Sequence, residues 1–441
     1  MPSVYDAWDH AQGRLDGADK GRLRAPPLGQ NLASRRHLVR RTPGDVMDDR
    51  VSMASAPIAD RFQKPVKIRR ADHGIVYRND REFCGWPFYC GLWKMPDGDV
   101  VAGFKKISNA YGNSGEVSHT RLTVGKGRLF LIRSHDDGAT WDIGSQIPVF
   151  DLSDDAGRIL REGGESYAGQ APLDFLDPNV VVMAGALPAL LKPDSRAWIR
   201  ASSDGGKSWR EPILLPLHGL ASLTGHGPPT VRQDGMCLLG LSTTSADGWT
   251  NRPLIYASQD GITWNFLSFV TPAIEGGSAM SDRAGPIIFG AIRHFYTRPL
   301  ALRDGRVLAS VRFQRDAKGI IWTDIFESQD GGRTWGFLSR VNDWGAPGDI
   351  VEMADGRIVC VYGYRLAPEG IRARVSHDGG RTWGSELILR DDGGSWDLGY
   401  PRVIEVAPGR LLSTYYMNCK DDSIQMGGGV RHIARTIFEP D

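Results

Sequence analysis

The chain has almost no excess of either charge: 53 Lys and Arg face 52 Asp and Glu, a formal net charge of +1. Without a basic surplus nothing is available to neutralise a phosphate backbone, and no nucleic-acid partner is expected. Long apolar runs are missing too. The longest, Val180 to Leu191, is twelve residues and contains Pro188, short of the roughly 20 residues a membrane-spanning helix needs, so no membrane partner is expected either. Cysteine is scarce. Cys84, Cys90, Cys237, Cys360 and Cys419 are odd in number, scattered, and lack the two-residue spacing of zinc sites. They are expected to be buried, reduced thiols, with no metal site, and no cofactor is implied. Ser34-Arg35-Arg36-His37-Leu38 superficially looks like a twin-arginine export signal, but the apolar stretch that must follow is absent, so a cytoplasmic location is expected. Residues 1–61 are rich in Arg, Asp, Pro and Gly without periodicity and are expected to form an irregular N-terminal extension, with Met47 or Met53 as an alternative start.

What is abundant is glycine, with 54 residues, alongside 26 Pro and 13 Trp. Many tight turns alternating with aromatic-anchored strands favour an all-β architecture. One octapeptide returns down the chain: Ser134-His-Asp136-Asp-Gly138-Ala-Thr140-Trp141, then its counterparts Ser202–Trp209, Ser328–Trp335 and Ser376–Trp383, with a copy one residue shorter at Ser258–Trp264. Trp-to-Trp spacings run from 48 to 71 residues, the period of a propeller or similar array. Each octapeptide reads as a hairpin turn in which Gly supplies positive φ, Ser and Asp accept turn amides, and Trp packs the hairpin on its neighbour. Its aspartates are therefore structural.

A second turn interleaves with the first at Met95-Pro-Asp97-Gly98, Leu176-Asp177-Pro-Asn179, Arg232-Gln-Asp234-Gly235, Arg303-Asp304-Gly305, Ala354-Asp355-Gly356 and Ala407-Pro408-Gly409. Six such hairpins alternating with five octapeptides predict a six-bladed β-propeller with four-stranded antiparallel blades over residues 62–441. The sixth blade lacks its octapeptide. Its third strand is expected at Arg431 to Phe438, with the outer strand supplied by Val66 to Tyr77, closing the ring.

If both turn sets lie at one end of the blades, the remaining connections converge at the other, where a pocket near the axis belongs. The segments entering the inner strands include Gly85-Trp86-Pro87-Phe88-Tyr89, Glu165 to Gln170, Gly225-His226-Gly227, Arg293 to Arg298 and Asp397 to Arg402. Arg312 and Arg365 end the second strands of consecutive blades and should point at one anionic ligand, although surface pairing with Asp316 and Glu369 is the alternative. Arg402, Arg298, Lys105 and Lys106 are candidate further cations, and Trp86 a candidate sugar contact. Tyr400, among cations, loses its proton more readily and as a nucleophile toward an anionic sugar avoids the repulsion a carboxylate meets; a packing role is the alternative. His226, between two glycines, is a candidate acid, base or ligand, or a structural histidine. Glu116 and His119 are the candidate acids in the loop after Lys106.

The octapeptides resemble the Asp-box of the sialidase (neuraminidase) superfamily, and the hairpin count is similar to its six-bladed propeller. Asp304 to Arg312, Val361 to Arg365 and Asp397-Leu-Gly-Tyr400-Pro look like family strands. The resemblance implies that Arg312 and Arg365 are two members of an arginine triad holding a substrate carboxylate and that Tyr400 is the nucleophile. The family's first arginine belongs to an Arg-Ile-Pro motif where this chain reads Gly85-Trp86-Pro87-Phe88; the loop 105–121 offers no aspartate, and the helper glutamate is replaced by Tyr296-Thr297-Arg298. The expectation is an exo-acting glycosidase for an anionic sugar, sialic or uronic acid, carried on an oligosaccharide or glycoconjugate. A lyase acting on a uronate, and a non-catalytic glycan-binding propeller, are the alternatives.

Overall fold

The computed structural model describes residues 63–113, 117, 127–152, 155–248, 250–273, 293–314 and 321–440. The expectations for residues 1–61 fall outside this range. Six antiparallel sheets follow one another along the chain. Blade 1 has Val100–Ser108, Arg128–Ser134 and Asp142–Asp151 outside a split inner strand, Glu82–Gly85 and Leu92–Lys94. Blade 2 has Val181–Leu187, Arg196–Ser202 and Ile213–Leu214. Blade 3 again splits its inner strand, Thr224–Gly225 and Thr230–Val231, before Cys237–Thr244, Asn251–Ser258 and Asn265–Phe269. Blade 4 runs Arg293–Ala301, Val307–Gln314, Ile321–Ser328 and Gly336–Arg340, and blade 5 Gly348–Glu352, Ile358–Tyr364, Gly370–Ser376 and Leu387–Arg390. Blade 6 consists of Gly399–Ala407, Arg410–Met417 and His432–Phe438, completed by Ala71–Tyr77.

The ring therefore closes as the sequence pattern required. Ala71–Tyr77 pairs antiparallel with His432–Phe438, so the two ends of the propeller share one sheet and neither blade edge is left open. Only part of the expected segment does this. Val66–Lys67 instead runs parallel to Leu387–Arg390 and adds a fifth strand to blade 5.

Every octapeptide joins the third strand of a blade to its outer strand. In the first copy, the Ser134 hydroxyl donates to Asp136 Oδ1 at 2.7 Å, and Asp136 accepts from the Thr140 amide at 2.8 Å and its hydroxyl at 2.6 Å. These donors, led by the Thr140 hydroxyl, hold the Asp136 carboxyl down to about 2. Trp335 donates its indole N–H to Ser268 on blade 3 at 3.0 Å, and Trp383 donates to Ser339 on blade 4 at 3.0 Å. In blades 4 and 5 the box is thus a turn that also fastens the blade to the one before it.

Blade 2 departs from the four-strand pattern. The segment expected as its inner strand, beginning near Glu165, instead bonds to the shortened octapeptide of blade 3: the Tyr167 amide donates to the Ile262 carbonyl at 2.9 Å and the Leu173 amide to that of Asp260 at 2.7 Å. Tyr167, Leu173 and Phe175 are buried in one cluster with Trp264. Burying these three large side chains outweighs a short axial strand. The one-turn helix Pro87–Cys90, inserted from blade 1, packs against Val181–Leu187.

All five cysteines are free thiols; four are buried and Cys419 is half-buried. Among the described residues, no helix is long and apolar enough to cross a membrane.

Candidate functional site

Four inner strands lose their regular pairing at the segments flagged as axial. In blade 1 the break between Gly85 and Leu92 holds Trp86 and the buried helix Pro87–Cys90. In blade 3 it holds His226. In blade 4 the register slips between Phe295 and Arg298, and in blade 6 between Gly399 and Arg402, leaving Tyr296 and Tyr400 bulged. Trp86, Tyr296 and Tyr400 all adopt left-handed backbone, with φ of 60°, 62° and 50°. That conformation costs a side-chain-bearing residue about 1–2 kcal/mol, and surrounding structure must over-determine it. Bulges re-aim side chains in this way beside functional sites. Gly399 makes the blade 6 bulge possible. Its φ is +103°, and a Cβ there would come within 2.8 Å of the Gly363 Cα on blade 5.

The re-aimed rings form a cage centred on Tyr400. Its ring centroid lies 5.7 Å from Trp86, 5.8 Å from both Tyr89 and Tyr296, and 5.9 Å from Tyr416. Arg312 Nη1 donates to Tyr400 Oη at 3.0 Å, and the Arg365 guanidinium lies 5.5 Å from the same ring and 5.4 Å from Trp396. Arg312 is 3% exposed and Arg365 4%. Both are buried, so neither is a surface arginine; Asp316, the suggested partner of one of them, lies outside the described residues.

The electrostatics of the cage separate its phenols. Burial pushes Tyr400 up, but the Arg312 and Arg365 charges and hydrogen bonds from Tyr296 and Arg312 outweigh it and hold its pKa below the ordinary 10.0. Burial raises Tyr89 and Tyr416 well above that value, aided for Tyr89 by the Tyr296 and Tyr400 phenols and for Tyr416 by Asp397. Tyr416 donates to Asp397 Oδ1 at 2.5 Å, and the other Asp397 oxygen accepts from Arg431 Nε at 3.3 Å. One phenol is thus poised to ionise among others kept neutral.

The remaining candidates are distributed differently. His226, 1% exposed, is in the cage, its ring 5.2 Å from Tyr296, with Nε2 at 2.7 Å from the Ser242 hydroxyl. Burial lowers its pKa to about 3, so the ring is neutral. Lys105 is buried 5.8 Å from the Trp86 ring, its ammonium pushed down to about 7 by burial. With Trp86 and Tyr89 it lines a cavity of about 50 Å³ walled by Ala184, Leu190 and Trp198. Arg298 and Arg402 do not join the cage as free cations. Arg298 Nε and Arg402 Nη1 both donate to Asp349 Oδ1, at 3.0 and 2.9 Å, because a guanidinium this deep requires a counter-charge. Lys106 turns outward to the Tyr77 hydroxyl and Gln146. Glu116 and His119 lie outside the described residues. Among the described residues, no group of three or more His, Cys, Asp or Glu side chains is placed to hold a metal ion.

Sequence reasoning did not single out Tyr89, Tyr296 or Tyr416, although all three stand in segments that enter or leave the axial end of a blade. The alternating pattern of Arg410–Met417 gives no sign that Tyr416 faces Asp397.

A BNR repeat-like domain model matches residues 179–412. No curated protein matches the chain. Among solved structures, a protein of unknown function from Dyadobacter fermentans superposes with a TM-score of 0.65 at 22% identity, over 85% of this chain and 99% of that one. A Hadza microbial sialidase gives 0.55 at 15% identity, over 81% of this chain and 66% of its own length. An α-L-arabinanase from Penicillium chrysogenum, solved with arabinobiose, gives 0.52 at 13% identity, over 83% and 97% of the two chains. At these identities the likeness is one of fold.

Proposed function

Since the chain belongs to the family of BNR repeat-like domains and carries the propeller fold shared by sialidases and an arabinanase, we propose that it is an exo-acting glycosidase for an anionic sugar at the end of an oligosaccharide or glycoconjugate. The observation that carries this reading is the 3.0 Å bond from Arg312 to the Tyr400 hydroxyl inside a buried aromatic cage, with Arg365 beside the same ring. Two guanidiniums recognise a sialate or uronate carboxylate by forked hydrogen bonds. The same charges favour the Tyr400 phenolate and offset its repulsion of an anionic sugar as it attacks the anomeric carbon. Trp86 offers its ring face to the sugar, and Lys105 beneath it adds positive potential. Arg298 and Arg402, bound to Asp349, brace the floor and take no part in recognition.

A second reading is favoured by His226, a neutral imidazole against Tyr296. In a lyase, Tyr400 or His226 removes the proton next to a uronate carboxylate while the arginines neutralise the enolate-like charge. The test is incubation of the purified protein and its Tyr400→Phe variant with sialylated and uronic-acid-bearing oligosaccharides, followed by mass spectrometry. Products heavier by one water in total indicate hydrolysis, and an unsaturated sugar indicates elimination. Products that persist undiminished in the variant would overturn the role of Tyr400, and binding without turnover would identify a glycan-binding propeller.

A further inference from the structure

The helix Pro87–Cys90 occupies the place where the resemblance led to an arginine, and it delivers Tyr89 into the cage. The Tyr89 ring meets Trp86 edge-on at 5.7 Å, Tyr296 at 5.4 Å, Tyr400 at 5.8 Å and His226 at 6.5 Å. The side chain is only 6% exposed. Its hydroxyl nevertheless has no hydrogen-bond partner of good geometry among the described residues, with the Tyr296 hydroxyl as its polar neighbour. His226 Nδ1, on the adjoining ring, is also buried without a partner. Buried polar atoms nearly always find partners, because leaving one unsatisfied forfeits its hydration without return. Two such atoms in one cage mark the place where a ligand's oxygens complete the bonding.

We infer that Tyr89 is the acid of this site, donating its phenolic proton to the oxygen of the departing sugar or aglycone. The assignment rests on the glycosidase reading above. In the first step the Tyr400 phenolate oxygen bonds to the anomeric carbon, the glycosidic C–O bond breaks, and the leaving oxygen takes the proton from Tyr89. In the second, water attacks the anomeric carbon, the Tyr89 phenolate takes a proton from that water, and the C–O bond to Tyr400 breaks, regenerating the Tyr89 phenol and the Tyr400 phenolate. The net change is the addition of one water. A phenol suits this position because before the reaction it is neutral and does not repel an anionic sugar, as an ionised carboxylate would. The environment also divides the labour, since Tyr89 is kept protonated while Tyr400 is held ready to ionise.

The experiment compares the full chain with its Tyr89→Phe variant on two substrates: the oligosaccharide that the protein cleaves and the 4-nitrophenyl glycoside of the same terminal sugar. 4-Nitrophenolate departs without a proton, whereas a sugar alkoxide does not. The variant is expected to lose about 100-fold or more in kcat/KM on the oligosaccharide and to keep its kcat/KM for 4-nitrophenol release, with a burst of 4-nitrophenol followed by slower turnover because the second step has lost its base. Its Tm should be little changed, because the deleted hydroxyl had only the poorly aligned Tyr296 hydroxyl as a partner. Equal losses on both substrates, no loss on the oligosaccharide, or a lowered Tm would each overturn the assignment while leaving the glycosidase reading intact. Turnover of neither substrate by the unaltered protein would overturn both.

Discussion

Asp349 is the clearest place to test how the axial floor is held. Its side chain is fully buried at the start of the blade 5 inner strand, and it accepts from Arg298 of blade 4 at 3.0 Å and from Arg402 and the Val403 amide of blade 6 at 2.9 and 2.8 Å. One carboxylate thus ties three consecutive blades beneath the Tyr400 bulge. Replacing it with the isosteric, neutral asparagine leaves two guanidiniums in the interior with no counter-charge. Burial and the neighbouring Arg298 already lower Arg402 to about 9. Breaking a buried ion pair by removing one partner costs about 3–5 kcal/mol. For a propeller of this length, about 4 kcal/mol corresponds to a Tm lowered by roughly 5 °C. Asp349→Asn should show that loss in urea unfolding and in calorimetry. Replacing the whole triad, Arg298→Met, Asp349→Leu and Arg402→Met together, should cost far less, because no charge is then left stranded. A loss below about 1 kcal/mol for Asp349→Asn alone, or a triple variant worse than the single one, would refute the argument.

The other expectations concern the cage and the turns. Tyr400→Phe should lower turnover by at least about 10³-fold with the fold intact by circular dichroism; Arg312→Met, by removing the charge that offsets burial, should raise the Tyr400 pKa and move the acid limb of the pH–rate profile to higher pH. His226 titrates at about 3 when folded against 6.5 in the open chain, so between these values the unfolded state binds the extra proton. Stability should therefore fall as pH drops below 6.5, by up to about 1.4 kcal/mol per pH unit from this group, and His226→Gln should flatten that slope in denaturation curves measured from pH 7 to 4. Asp330→Ala, which removes the acceptor of the Thr334 amide and hydroxyl bonds, should destabilise by about 1 kcal/mol and leave kcat/KM unchanged. A selective loss of activity there would show the octapeptide to be more than a turn.

The architecture was written locally. Each octapeptide is a self-contained turn, with Ser328, Asp330 and Thr334 bonded within seven residues, so its recurrence could be counted without knowing any contact. The alternation of two turn types fixed six blades and the face on which the pocket had to lie, and the absent sixth box led to the strand borrowed from upstream. The same face logic brought Arg312 and Tyr400 together, because both positions follow from where a strand begins or ends. Tertiary structure decided what no spacing encodes. Arg298 and Arg402 look like Arg312 in sequence, yet a buried carboxylate from blade 5 claims both. Tyr89 and Tyr296 become cage walls only because a one-turn helix and a bulge rotate them toward the axis. Blade 2 lost its inner strand to the pull of Trp264. Local turns depend on hydrogen bonds among neighbours in the chain; the charge partners, ring contacts and burial that set each site residue's chemistry join positions 50 to 300 residues apart, and these exist only once the ring has closed.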